Sequence, residues 1–259
     1  MGLLILIVSV ALLFIGLFLF FTNKVNTDNI VYHFKKGNVV VCGHKGNGKD
    51  LLFQWVINKR HDYYYSNISY GGKKKIISIK DISCEPNDYD NLINNRINKT
   101  PHKFYEKKDI YISDAGNFLP AQMDSLLHKK YKSMPLYYSL SRHLYNSNVH
   151  MNAQSIERLW KIIREQADFF VCCKRTYKLP FFLLIKTITY DKYESCKAGL
   201  LPLKYRWFNK QSKAQYDLFR STNGDIRTAW VLVPKRKIYY DTRAFEKILL
   251  KGRRKQKKV

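Results

Sequence analysis

The chain has 259 residues and carries 46 Lys and Arg against 20 Asp and Glu, a formal net charge of +26 at pH 7. That length suffices for one substantial domain with its own core. Five cysteines (Cys42, Cys84, Cys172, Cys173 and Cys196) are an odd number without a two-residue gap. They argue against a disulfide framework and predict no structural metal, so we expect a reducing compartment.

The positive charge favours partners rich in phosphate, and single-stranded DNA and anionic lipid are the two that we expect. A second explanation is open. Lys, Asn, Ile and Tyr are all abundant, as in proteins encoded by AT-rich genomes. The positive charge therefore limits the expected classes of partner to anionic ones but does not indicate one function.

The first segment, residues 2–21, is a run of 20 residues without a charge. As a helix it would be about 30 Å long, the thickness of the hydrocarbon core of a bilayer. A cleaved signal peptide is the alternative, but neither a basic leading region nor a small-x-small cleavage site is visible. Lys24, Lys35 and Lys36 follow the run, so the positive-inside tendency places the rest of the chain in the cytoplasm. We predict a single-span anchor and a polar linker over 22–37.

Residues 38–177 alternate short apolar runs with amphipathic stretches. The run NVVVC (38–42) is typical of a strand buried on both faces, and apolar residues follow at helical spacing from 51 to 56. Further strands are predicted at 63–69, 75–79, 109–114, 148–154 and 167–175, with helices at 121–131, 135–145 and 155–166, the last capped by Ser155. Such alternation predicts an α/β domain with a parallel sheet and crossover helices.

The pattern of residues along the sequence changes after Lys178. Strand-like runs occupy 181–190, 203–209, 228–234 and 237–242, with few helix signals between them. We therefore predict a β-rich C-terminal part over 178–250. The last nine residues, KGRRKQKKV (251–259), predict a basic tail without a core of its own.

The first strand leads into a glycine-rich loop, Gly43-x-x-x-x-Gly48-Lys49. Glycines let backbone N–H groups wrap an anion, and the lysine can reach terminal phosphates. The helix that follows directs its first N–H groups at the same anion. The predicted nucleotide-binding segment comprises Gly43, His44, Lys45, Gly46, Asn47, Gly48, Lys49, Asp50 and Leu51. The alternative is an ordinary glycine-rich turn with solvated lysines.

Two aspartates are candidate magnesium ligands. Asp114 follows the strand IYIS, where a nucleotide site requires an acidic residue. Asp50 stands where a serine or threonine hydroxyl is expected, and a carboxylate can also coordinate Mg²⁺. Its charge is favoured at a helix N-terminus but repels a triphosphate. Either aspartate also has a simpler explanation, as a turn former or as an ion-pair partner of Lys49.

The order of these segments resembles the Zot-domain family, the inner-membrane assembly proteins of filamentous phages, within the FtsK–HerA group of P-loop ATPases. The resemblance covers about 38–245 and includes the loop, YYYSNIS (63–69), IYISDAGNFLP (110–120) and KIYYDT (237–242). Its most specific part is the block 139–175, which contains Arg142, Gln154 and Arg164. It implies a P-loop NTPase-like fold, ATP and Mg²⁺ as cofactors and a homo-oligomer.

The resemblance also implies roles. Lys49 and Asp114 act on the nucleotide, Gln154 senses the terminal phosphate or orients water, and Arg142 and Arg164 act across a subunit interface. A solvated helix face is the alternative for each arginine, and His143 is equally explained by packing. The implied function is virion assembly and extrusion through the host inner membrane, with phage coat or assembly proteins as partners.

Departures from the family pattern leave the activity open. Asp50 replaces the usual hydroxyl, Ala115 replaces the usual glutamate, and the anchor precedes the domain. Slow ATP turnover is expected. A genome-packaging translocase, a non-hydrolysing scaffold and a membrane-tethered DNA-binding protein are the alternatives.

Overall fold

A computed structural model describes residues 2–61, 63–77, 108–123, 125–127, 147–200 and 227–238, together with the single positions 135, 138 and 141. Several predicted segments lie partly or wholly outside these residues: Cys84, part of the helix predicted at 121–131, most of the helix predicted at 135–145 with Arg142 and His143, the strand at 203–209, most of the strand at 237–242, and the basic tail.

The described helices are α1 (Gly2–Lys36), α2 (Lys49–Arg60), α3 (Ala115–Phe118), α4 (Lys161–Glu165) and α5 (Tyr193–Leu200), with 3₁₀ turns at Ala121–Met123, Ile156–Arg158 and Lys235–Lys237. The strands are β1 (Val39–Cys42), β2 (Tyr64–Ser66), β3 (Lys74–Ile76), β4 (Asp109–Ile112), β5 (Val149–Ala153), β6 (Phe169–Lys178), β7 (Phe182–Tyr190) and β8 (Arg227–Pro234). The predicted strands of the first part are thus confirmed with shifted bounds: most are shorter, but β3 begins one residue earlier and β6 continues to Lys178.

All eight strands form one sheet in the order β3-β2-β4-β5-β1-β6-β7-β8. The six strands from β3 to β6 in this order are parallel to one another. Strand β7 pairs antiparallel with β6, and β8 pairs antiparallel with β7. The α/β prediction is confirmed. The described strands after Lys178 extend the same sheet, because β7 pairs with β6 and β8 pairs with β7, and the helix α5 lies between β7 and β8 in the chain.

The centre of the sheet is β1, which lies between β5 and β6 with all four residues buried. Its apolar side chains alternate between two cores. Val40 and Cys42 pack with Trp160 on one face, and Val39 and Val41 pack with residues of α1 and α2 on the other. A strand covered on both faces must be apolar throughout, which is why NVVVC was recognisable in the sequence.

Helix α1 continues through the predicted linker. Residues 22–36 are helical, and Ile30 and Phe34 on this second half are buried against α2 and the sheet. The first half is long and apolar enough to cross a membrane, with a mean hydropathy of 2.0 over its most apolar window and none of that window buried. The apolar run and the sheet are therefore joined by one uninterrupted helix.

The predicted helix at 155–166 is broken. Ser155 caps the 3₁₀ turn, since its Oγ accepts from the N–H of Glu157 at 3.3 Å. Leu159 and Trp160 then become extended before α4 begins. The cause is tertiary: the Trp160 side chain is fully buried, and its N–H donates to the carbonyl of Leu119 at 2.8 Å.

Candidate functional site

The loop between β1 and α2 has the backbone of a phosphate-binding loop. Gly43, Gly46 and Gly48 have φ of 152°, 85° and 85°, in the region that side chains rarely adopt. A Cβ on Gly43 would lie 2.4 Å from the carbonyl oxygen of Cys173. The N–H of Leu52 closes the first turn of α2 on the carbonyl of Gly48 at 2.9 Å. The sequence thus placed its glycines where this loop requires them.

Asn47 holds the loop against the neighbouring strand. Its Nδ2 donates to the carbonyl oxygens of Cys173 and Lys174 on β6, at 3.1 and 2.9 Å. Its own N–H donates to the carbonyl of His44 at 3.1 Å, which makes a turn inside the loop. His44, Lys45 and Gly46 form the exposed crest of that turn. The loop is fixed at its base and open at its crest.

Lys49 is the buried cation of the site. Only 6 % of it is exposed, and its Nζ donates to the carbonyl oxygens of Gly43 and His44 at 2.9 and 3.3 Å. The side chain of Lys49 therefore reaches from the start of α2 back to the first residues of the loop. Among the described residues it forms no ion pair with Asp50, the simpler explanation that the sequence had left open.

Asp50 is held by three neutral donors. Its Oδ1 accepts from the hydroxyl of Tyr70 at 2.9 Å, from Ser113 Oγ at 2.6 Å and from Asn152 Nδ2 at 2.8 Å. These donors come from β4, β5 and the segment after β2, so the carboxylate joins α2 to three parts of the sheet. None of these three donors was predicted from the sequence. Asn152 could have been noticed as a polar residue in the middle of an apolar strand.

Asp114 follows β4 in a left-handed conformation, with φ of 49°. Its N–H donates to Asn152 Oδ1 at 2.8 Å, so the amide of Asn152 bonds both candidate metal ligands. Burial and the charge of Asp50 raise the pKa of the Asp114 carboxyl, while Lys49 and Lys45 partly oppose the shift. The nearby Asp50 thus disfavours the charged form of Asp114.

One cavity brings most of the predicted residues together. It measures about 600 Å³ and is lined by Lys45, Gly46, Gly48, Lys49, Asp50, Leu51, Asp114, Gln154, Leu183 and Ile238. A second cavity, of about 340 Å³, lies on the other side of the loop, and Gln154 lines both. Gln154 directly follows β5 and lies beside the loop, whose residues line both cavities with it.

Arg164 does not line either cavity. Its guanidinium stacks over the ring of Tyr193 at 5.0 Å, and its Nη1 donates to the carbonyl of Glu157 at 3.4 Å. The side chain is thus engaged within its own chain. Arg142 lies outside the described residues. The role of either arginine across a subunit interface stays a prediction.

The oxygen ligands fit a magnesium ion. Mg²⁺ takes one or two carboxylates and completes its shell with water and phosphate oxygens. Asp50 and Asp114 line one cavity beside Lys49. Since Oδ1 of Asp50 is occupied by three donors, its Oδ2 is the oxygen that would reach a cation. When bound, the ion would neutralise phosphate charge.

Three cysteines that are far apart in the sequence meet under the loop. Cys42 Sγ lies 2.8 Å from Cys172 Sγ and 4.0 Å from Cys196 Sγ, and the latter two are 3.3 Å apart. All three are buried. Spacing along the chain could not predict this cluster, because it joins β1, β6 and α5. Among the described residues no histidine or carboxylate adds a fourth ligand, so we interpret it as core packing.

No protein-family model matches this sequence, and no curated protein matches it either. Among solved structures, the N-terminal domain of zonular occludens toxin from Neisseria meningitidis is similar over 79 % of this chain and 98 % of its own, with 9 % identity and a TM-score of 0.46. The AMP complex of the genome packaging NTPase B204 from Sulfolobus turreted icosahedral virus 2 is similar over 61 % and 93 %, with 16 % identity and a TM-score of 0.37. The conjugation coupling protein TcpA of pCW3 is similar over 67 % and 65 %, with 13 % identity and a TM-score of 0.37.

Proposed function

We propose that this chain is a membrane-anchored P-loop ATPase that powers filamentous virion assembly and extrusion through the host inner membrane. One observation carries the proposal: Lys49, Asp50, Asp114 and Gln154 line a single cavity beside a glycine loop that opens α2. The resemblance of the sequence motifs to the Zot-domain family supports the biological role, and the apolar first half of α1 supports the anchor.

The residues divide the work. The loop N–H groups and Lys49 bind the phosphates of ATP, and Asp50 and Asp114 hold Mg²⁺. Gln154 reaches the space where the terminal phosphate and an attacking water would lie. Ala115, fully buried, occupies the position of the usual glutamate and offers no base. Turnover is therefore slow, and Arg142 and Arg164 of a neighbouring subunit are candidates for stabilising the transition state.

The second candidate is a scaffold that binds nucleotide without hydrolysing it. The three neutral donors on Asp50 favour it, because a carboxylate oxygen that is fully bonded inside the protein contributes less to a metal. The two functions differ in one observable. The ATPase releases phosphate in a Mg²⁺-dependent way, and the scaffold does not.

The test is phosphate release by the full chain reconstituted in bilayers, with and without Mg²⁺, single-stranded DNA and anionic lipid. Lys49→Ala is the matched control for contaminating ATPases. Turnover above that control supports the ATPase. Nucleotide binding without turnover supports the scaffold, and no binding at millimolar ATP or GTP by a folded oligomer would mean that the site is vestigial.

The location is proposed with the function. Lys24, Lys35 and Lys36 follow the apolar run, so the sheet lies on the cytoplasmic side of the inner membrane. Protease added outside intact host cells should leave the domain uncut. Its digestion there would refute this orientation.

A further inference from the structure

The hairpin between β6 and β7 ends in exposed apolar side chains. Leu179, Phe181 and Phe182 are 41 %, 77 % and 36 % exposed, and Leu232 on the neighbouring strand β8 is 46 % exposed. The backbone of this end is ordered, since the N–H of Leu179 donates to the carbonyl of Phe182 at 3.0 Å. We call these four residues with Pro180 the hairpin tip. Such a cluster marks an interaction surface.

Basic residues surround the hairpin tip. Lys178 precedes it, and Lys235, Arg236 and Lys237 follow β8 directly. All four are exposed, and the N–H of Lys235 donates to the carbonyl of Phe181 at 3.0 Å, which fixes the cations beside the apolar group. An apolar centre with a cationic rim fits an anionic bilayer surface, where lipid tails receive the centre and headgroups pair with the rim.

The hairpin tip and the apolar half of α1 point the same way. Asn26 Nδ2 donates to the carbonyl of Thr228 at 2.8 Å, and Asn23 Nδ2 donates to that of Trp230 at 3.1 Å. A residue nearer the N-terminus of α1 therefore contacts a residue nearer the C-terminal end of β8, so the helix and the strand run in opposite directions. From Trp230 to Pro234 a strand covers about 13 Å, the rise of about nine helical residues. The part of α1 that lies about nine residues before Asn23, level with Pro234, is therefore inside the uncharged run 2–21.

Aromatic and cationic side chains also lie at the level of Asn23. Trp230 and Tyr177 lie 5.8 Å apart by their ring centres. Lys186 lies over the ring of Trp230 at 5.3 Å, and Arg175 over that of Tyr177 at 5.0 Å. Trp, Tyr and cations concentrate where hydrocarbon meets water. The order along β8 is thus aromatic and cationic at Trp230, apolar at Leu232, and cationic again from Lys235.

We propose that the hairpin tip is a second membrane contact, inserted into the anionic leaflet beside α1. This inference rests on the proposed membrane span and adds a function to it. A domain held by one membrane-spanning helix can rotate about the axis of that helix. A second membrane contact at the hairpin tip, away from α1, would fix one orientation of the sheet. The nucleotide loop then faces the bilayer at a set angle.

The experiment uses the full chain with Cys84→Ser in bilayers of neutral or partly anionic lipid. An environment-sensitive dye is attached to Phe181→Cys, to Leu12→Cys in α1, or to Ile76→Cys. Ile76 is the matched control, because it is 53 % exposed and lies on β3 at the opposite edge of the sheet. Blue-shifted emission and quenching by lipid-borne nitroxides report insertion.

We expect blue shift and lipid quenching at 12 and 181 but not at 76, with a weaker signal at 181 in neutral lipid. Replacing the four rim cations by Gln should give the same weakening at 181 while position 12 stays inserted. A dye at 181 that is as water-exposed as at 76, while 12 is inserted, overturns this inference and leaves the span intact. Exposure at both 12 and 181 refutes the span itself. A blue shift at 181 in bilayers that lipid-borne nitroxides do not quench, while they quench the dye at 12, would indicate a second copy as the occupant and also overturn the inference.

Discussion

The parallel and antiparallel parts of the sheet serve different purposes. In the parallel part, β1, β4 and β5 end at one edge, and the polar residues after or within them meet there: Asp50 bonds both Ser113 and Asn152. The antiparallel part lines the same cavity with apolar side chains only, namely Leu183 on β7 and Ile238 after β8. The candidate metal ligands Asp50 and Asp114 therefore belong to the parallel half of the sheet.

The second half is bound to α1. Asn23 both donates to the carbonyl of Trp230 and accepts from its N–H, at 3.1 and 2.8 Å, so a side-chain amide satisfies an unpaired strand edge. The contacts of Asn23 and the glycine loop thus lie on different strands of one continuous sheet, and Asn47 bonds the loop to β6 between them.

The largest effect is expected from Lys49→Ala. Nucleotide affinity should fall by roughly 100-fold or more, because hydrogen bonds from a charged donor contribute about 1.5–3 kcal/mol each. Calorimetry with ATP measures it, with circular dichroism as the check on folding. Lys45→Ala is the comparison, since this lysine is on the exposed crest of the loop and its loss should weaken binding far less. Equal losses would show that the loop acts only through its net charge.

The second effect concerns the anchored half. Asn23→Ala with Asn26→Ala removes three hydrogen bonds to the edge of β8 and should lower the free energy of unfolding by roughly 1–3 kcal/mol. Urea unfolding of the full chain in detergent measures it, and nucleotide affinity should stay unchanged. Thr27→Ala is the control, because its hydroxyl bonds only to the carbonyl of Lys24 in its own helix. A fall in affinity equal to that of Lys49→Ala would disprove the separation of the two halves.

The third effect sharpens the role of Asp50. Asp50→Ser should retain ATP binding but raise the Mg²⁺ concentration needed for it by roughly tenfold, about 1.4 kcal/mol, since a charged ligand becomes neutral. ATP titration across a magnesium series measures the shift. Asp50→Asn keeps the shape and also removes the charge, so both variants should shift alike. An unchanged magnesium requirement would assign Asp50 to the internal hydrogen bonds alone.

The smallest effect is a pH dependence at Asp114. Its raised pKa means that the folded state prefers the protonated carboxyl, so this group contributes stability at low pH that is lost as pH rises from its ordinary pKa through the folded value. Asp114→Asn should therefore raise the melting temperature at neutral pH without magnesium, by about 2 °C in a chain of this size. Thermal unfolding at acidic and neutral pH checks it. The exposed Asp28→Asn should show no such gain, and a destabilised Asp114→Asn would reverse the sign of the argument.

Local sequence determined the apolar helix, the central strand and the loop, because each depends on residues that are neighbours in the chain. A run of 20 uncharged residues makes a helix that fits a bilayer, VVVC suits a strand covered on both faces, and three glycines permit the loop's positive φ. Lys49 and Asp114 followed from their positions next to such elements.

Only the tertiary structure decided which distant residues meet. The bonds of Asp50 to Asn152 and of Asn23 to Trp230 join residues 102 and 207 positions apart, and the thiols of Cys42 and Cys172 meet across 130. No local pattern encodes these contacts, because they depend on strand order. The same holds for the break at Trp160: burial of a large side chain outweighed a helical pattern that the sequence alone supported.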